Sequence, residues 1–188
     1  MIEISEFNRK IMILGFKDVK IHNVNDLVYR FKKYLSNIPI QLFDADFIAG
    51  KKHLFFASLN ALKAFKQKNN ISDSLEIESL IYASGQRQIN IAIEMVGIKL
   101  TTSRIAVLIF LSNNEDYKKI EKTVSEIIQG TRYDRVLKIE DKDKIKKLKK
   151  TFHITTLELE AIINKNTTLE DALTKSIIER GAILAVKT

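Results

Sequence analysis

Two places in the chain put cations where a helix should begin: Lys51, Lys52 and His53 after Gly50, and Arg87, flanked by Gln86 and Gln88, after Gly85. A helix N-terminus carries free N–H groups and the positive end of the dipole, so local physics disfavours cations there. A bound phosphate removes the conflict, because backbone N–H, ammonium and guanidinium then converge on one anion. The corner Ser84-Gly85-Gln86-Arg87-Gln88 is the sharper of the two, since its amides and guanidinium offer donors and acceptors to the backbone and base edges of an unpaired strand. The plainer reading is that lysines at helix starts are tolerated for up to about 1 kcal/mol and that glutamine simply caps a helix.

Hydrolytic chemistry has one candidate. Asp44-Ala45-Asp46 has strand spacing, which sets both carboxylates on one face, and His53 is close enough in sequence to join them as a metal-dependent nuclease site. The simpler alternative is that the aspartates end a strand and shape the following turn. The histidines His22, His53 and His153 lack metal-ligand spacing, and no phosphate-binding loop, dinucleotide fingerprint or nucleophile elbow is present. The sequence therefore predicts no catalytic residue, no metal and no cofactor. With no cysteine there is no thiolate ligand or disulfide, which points to a cytoplasmic home, and the longest apolar run, 105–111, is far short of the ~20 residues of a membrane span.

The net charge is +8, from 31 basic and 23 acidic residues, and it is uneven. Residues 101–150 carry 13 basic and 8 acidic side chains, whereas residues 151–188 carry 4 and 5. Such an excess suits a polyanionic partner but equally a solvated lysine-rich surface. The run Lys142 to Lys150 would attract phosphates without regard to sequence, and Arg132, Tyr133 and Arg135 form a second patch in which a tyrosine could stack on a base. Ile177, Ile178, Ile183 and Leu184 read as core first and as a partner surface second.

The elements that must position these groups follow from periodicity. Ile11 to Phe16 and Val19 to Ile21 read as a strand pair; Asn25 and Asp26 open a helix that stops before Pro39; Ile40 to Phe43 is a strand. The helix after Gly50 buries Leu54, Ala57, Ala61, Leu62 and Phe65. From Ser72 a helix runs to Gly85, the corner of a helical hairpin whose second arm has Ile89, Ala92, Ile93 and Val96 as its apolar face and ends at Gly97. Ile105 to Leu111 is apolar throughout, as for a central strand buried on both faces. Asn113 and Asn114 are expected to cap a helix that Gly130 stops, and Val136 to Ile139 reads as a short strand. Helices then follow from Asp141, from Thr155 and from Thr168 to Gly181, and Ala182 to Val186 reads as a possible last strand. The expected fold is a single α/β domain over 1–188: a mixed central sheet packed with helices, a helical hairpin, and a mostly helical C-terminal part.

Three blocks, FDADFIAGKKHLFFASLNALKAF (43–65), LIYASGQRQINIAIEMVGIK (80–99) and LEDALTKSIIERGAILAVK (169–187), resemble the small tRNA-binding subunit of the KEOPS complex, the PRPK-binding protein family. The shared features are the A-D at a strand end, the K-K-H helix start, the A-S-G-x-R-Q-I corner and the terminal E-R before an apolar stretch. The resemblance implies a non-catalytic subunit that binds the KEOPS kinase/ATPase and recruits tRNA by its single-stranded 3′ CCA end, for threonylcarbamoyladenosine modification at position 37 of ANN-decoding tRNAs. The residue reading agrees with this and places the expected RNA contact at Lys51, Lys52, His53, Ser84, Gly85, Gln86, Arg87 and Gln88, with the two helix starts expected side by side so that one anionic tail touches both. The alternatives are a protein-only regulator of the kinase and the nuclease built on Asp44, Asp46 and His53.

Overall fold

In the computed structural model, which describes residues 2–186, the apolar run forms β4 (Ile105–Ser112). It lies between β2 (Arg9–Lys17) and β3 (Ile40–Asp44), with β1 (Ile2–Ile4) beyond β2, and a two-residue β5 (Thr131–Arg132) also pairs with β2. All these pairings are antiparallel, a narrower arrangement than the expected mixed sheet; Ala106 of β4 stands opposite both Gly15 and Phe43. Because side chains alternate along a strand, β4 feeds two cores. Ile105, Val107 and Ile109 join Met12, Leu14 and Phe16 under α1 (Val24–Tyr34) and α5 (Tyr117–Ile128), which contribute Leu27, Phe31, Ile120 and Val124. Ala106, Leu108 and Phe110 face the other way, toward α2 (Lys51–Gln67), α3 (Leu75–Ser84), α4 (Ile89–Val96) and α8 (Leu169–Val186).

Side chains cap several helices. Asn23 accepts the Asp26 N–H at the start of α1, Asp116 accepts the Lys118 and Lys119 N–H groups at α5, and Asp141 and Thr155 do the same for α6 (Lys142–Thr151) and α7 (Thr156–Ile162). The cap of α5 is thus Asp116, not Asn113 or Asn114: a carboxylate two residues before the first amide it receives has the better geometry. By contrast α2 begins at Gly50, with φ 93° and no side-chain cap.

The helical hairpin forms as the sequence predicts, with Gly85 in the left-handed conformation at φ 66° and its N–H bonded to the Ile81 carbonyl. Three expected strands do not form. Val19 to Ile21 is irregular chain whose Val19 and Ile21 are buried and whose Val19 N–H bonds to the Ser103 carbonyl, so its apolarity serves the core and not a ladder. Asp134–Leu137 is a 3-10 turn that buries Val136 and Leu137. Ala182 to Val186 continues α8 as helix, because Gly181 is no stop signal: it lies where α8 crosses α3, and a Cβ there would fall 2.4 Å from the Tyr82 carbonyl oxygen.

Candidate nucleic-acid interface

The site is built around the uncapped start of α2. Lys51 and Lys52 are exposed there, with Lys51 Nζ 2.8 Å from Asp134 Oδ2; partial burial first and then the nearby Arg132 charge lower the Lys51 pKa. His53 is different, being 1% exposed. Its Nδ1 accepts the Ala49 N–H at 3.2 Å, which leaves the proton on Nε2 to be donated to the Ala83 carbonyl at 2.8 Å. Burial pushes its pKa down to about 4, so the ring is neutral at ordinary pH. His53 therefore reaches no ligand; it pins the first turn of α2 against the last turn of α3.

Ser84 is also buried, its hydroxyl donating to the Ile81 carbonyl and accepting the Gln86 N–H. Gly85 stands against Arg180 of α8, where a Cβ would lie 3.1 Å from the arginine Cβ. Arg180 is itself held by Glu158 and by the Phe152 carbonyl. Gln88 is the residue before α4, so Arg87 sits in the corner loop and not in a first helical turn as the sequence suggested. Arg87 and Gln88 are exposed and Gln86 half-buried. Through His53 the start of α2 and the Gly85 corner share one end of the α2–α3 pair, but their cations diverge: Lys51 faces Asp134 and Arg132, whereas the Arg87 charge acts on Glu78 and Tyr82.

A hollow of about 410 Å³ opens at the start of α2, between Lys51, Lys52, Arg135 and Lys138, with Asp134 and Asp171 on its walls. A second hollow of about 300 Å³ shares Arg135 and Lys138 and extends toward Lys17, Arg104 and Tyr133. Sequence reasoning missed Lys138, which stands far from residue 51 in the chain and inside a segment misread as a strand. Arg135, noted only as part of a separate patch, belongs to the same end of the molecule.

The hydrolytic candidate does not assemble. Asp44 accepts from the Asp46 N–H and from the Thr102 hydroxyl at 2.7 Å, and burial raises its pKa. Burial alone would also raise Asp46, but Arg104 at 2.6 Å and Lys147 at 2.5 Å hold it below the usual carboxylate range. Asp46 thus serves an ion-pair network beneath α6 and Asp44 shapes the turn, while Lys144 of α6 is buried with Nζ 2.7 Å from the Val136 carbonyl. With His53 bonded to backbone on both sides, no group of three His, Cys, Asp or Glu side chains among the described residues could hold a metal ion.

Of the apolar candidates in α8, Ile177 and Leu184 are core, Ile178 is half-buried and Ile183 is 48% exposed. In α4 the structure reverses part of the expected face: Ala92 and Val96 are buried, while Ile89, Ile91 and Ile93 are exposed. The helix buries its small and C-terminal side chains because α4 packs closely on α3, and the isoleucines are left outside.

Fold and surface together define an α/β protein whose exposed functional groups are cations, amides and isolated apolar side chains, the groups of a binding surface. The family model described as Kinase binding protein CGI-121 matches residues 16–183, from the end of β2 nearly to the end of α8, and the chain belongs to that family. The regulatory protein Cgi121 of Methanocaldococcus jannaschii is 33% identical over 135 residues, which is 71% of this chain and 79% of that protein.

Proposed function

We propose that this chain is a non-catalytic subunit of the KEOPS complex that binds the complex's kinase/ATPase and recruits tRNA through its single-stranded 3′ CCA end, supporting threonylcarbamoyladenosine formation at position 37 of ANN-decoding tRNAs in the cytoplasm. Membership of a kinase-binding family supports the kinase half. The RNA half is carried by one observation: the uncapped start of α2 and the Gly85 corner share one end of the α2–α3 pair, with Lys51, Lys52, Arg87 and Gln88 exposed there. The free N–H groups of α2 and the two lysines take phosphates, and the Gln86 to Gln88 corner meets splayed bases and backbone. His53, Ser84 and Gly85 act one layer below, fixing the two turns relative to each other.

The test is fluorescence anisotropy of tRNA at two fixed salt concentrations, intact or trimmed of its 3′ CCA, with wild type and Arg87→Glu. Wild type is expected to prefer intact tRNA, and both the trimming and the substitution are expected to abolish that preference. Binding that ignores both changes would instead favour a protein-only regulator of the kinase, whose contacts would be the apolar side chains outside α4 and α8.

A further inference from the structure

The geometry points to a nucleotide subsite beside Tyr133: we propose that its ring stacks on one unpaired base of a single-stranded RNA end, with Asp18 accepting a hydrogen bond from that nucleotide and Lys17 and Lys138 beside the flanking phosphates. The proposal rests on the reading that single-stranded RNA binds at the start of α2, and extends it to a part of the surface that neither the helix start nor the Gly85 corner includes.

The first support is continuity. The hollow of about 300 Å³ beside Tyr133 and the hollow of about 410 Å³ at the start of α2 share Arg135 and Lys138, so a strand holding a phosphate at α2 passes directly into the second hollow. The second is the ring itself. Tyr133 is 37% exposed, and its backbone is pinned to β2: its N–H donates to the Gly15 carbonyl at 2.7 Å, and a Cβ on Gly15 would come within 2.9 Å of the Tyr133 carbonyl oxygen. A half-exposed aromatic on a fixed backbone offers a stacking platform; Lys17 Nζ lies over the ring, 4.8 Å from its centroid, so a base stacks on that face by displacing this flexible side chain toward its phosphate.

The third support is the mixture of charges. The hollow has Lys17, Arg104, Arg135 and Lys138 together with Asp18, Glu140 and Asp141. A bare polyanion would be repelled by the carboxylates. A nucleotide is not a bare polyanion, since its neutral base and ribose present amino and hydroxyl donors to carboxylates while its phosphates meet the cations. Two of the three carboxylates are engaged, Glu140 with Arg135 and Asp141 with the Lys144 N–H. Among the described residues Asp18 is paired with Lys17 alone, 3.8 Å away, and stands in the left-handed conformation at φ 59° at the rim. It is therefore the acceptor with capacity to receive a ligand.

The experiment uses a five-nucleotide RNA ending in CCA, dye-labelled at its 5′ end, and the same oligomer with an abasic ribose at each of the last three positions in turn. Anisotropy is read at one fixed low salt concentration for wild type, Tyr133→Phe and Tyr133→Leu. Stacking by one base predicts that Phe binds as wild type does and that Leu binds the full oligomer roughly 5- to 100-fold more weakly. It also predicts that the Leu penalty vanishes on one abasic oligomer and persists on the others. Equal binding by Leu and wild type would overturn the proposal, and so would a penalty that persists on every abasic oligomer, the mark of a merely structural ring. Wild type that binds neither the oligomer nor tRNA would sink the recruiting function as well, whereas wild-type binding without any dependence on Tyr133 would sink this subsite alone.

Discussion

At the scale of single residues, burial divides the two helix-start clusters into an exposed and an inner layer. Lys51, Lys52, Arg87 and Gln88 are exposed as a binding role requires, but His53 and Ser84, chosen for the same chemistry, are buried and bonded to backbone. A histidine in a first helical turn looks the same in sequence whether it faces water or the next helix, because both positions share the helical period. Its burial has a measurable consequence. The folded pKa of about 4 lies below the ordinary 6.5, so below pH 6.5 the unfolded chain binds a proton that the folded chain refuses. Stability from His53 is therefore complete above about pH 6.5 and falls as pH drops toward 4, by an amount on the order of 3 kcal/mol. Urea unfolding across pH 4 to 7 is expected to show this loss, while the imidazole resonances of His53 keep their neutral positions down to about pH 4. A ring that titrates near 6.5 would mean that it is not held between Ala49 and Ala83.

At the scale of elements, what was local was readable. β4 announces itself by seven consecutive apolar residues, and the Gly85 corner by a glycine at the end of one amphipathic run and the start of the next. The end of α8 was not readable, because a short apolar run serves strand or helix equally and the deciding contact comes from α3, nearly a hundred residues earlier. Gly181 carries that decision. In a helix interior glycine is ordinarily worse than alanine by about 1 kcal/mol, so propensity alone says that Gly181→Ala should stabilise. The Cβ would nonetheless stand 2.4 Å from the Tyr82 carbonyl oxygen and must push α8 off α3, at about 1–3 kcal/mol. The clash wins, and thermal unfolding of Gly181→Ala is expected to show a lower Tm than wild type; a higher one would mean that the two helices do not cross so closely.

At the scale of the whole molecule, two kinds of surface separate. The cations at the start of α2 and around the adjoining hollows gather residues from four distant segments, which is why linear charge counts showed an excess without showing a site. Exposed apolar side chains such as Ile183 on α8 and Ile89, Ile91 and Ile93 on α4 carry no charge and have no part in a phosphate track. If RNA and kinase use these separate chemistries, their energetics must separate too. RNA binding releases counterions, about 0.7 per neutralised phosphate of a single strand, so the double variant Lys51→Gln with Lys52→Gln is expected to flatten the slope of log affinity against log salt by about 1.4. The same variant should hold the kinase as wild type does. Conversely, Ile183→Glu forces a charge into an apolar contact and is expected to weaken the kinase pair by tenfold or more while leaving the tRNA slope unchanged. Binding of both partners that falls together in either variant would show that RNA and kinase share one surface, and that recruitment and kinase contact are one event rather than two.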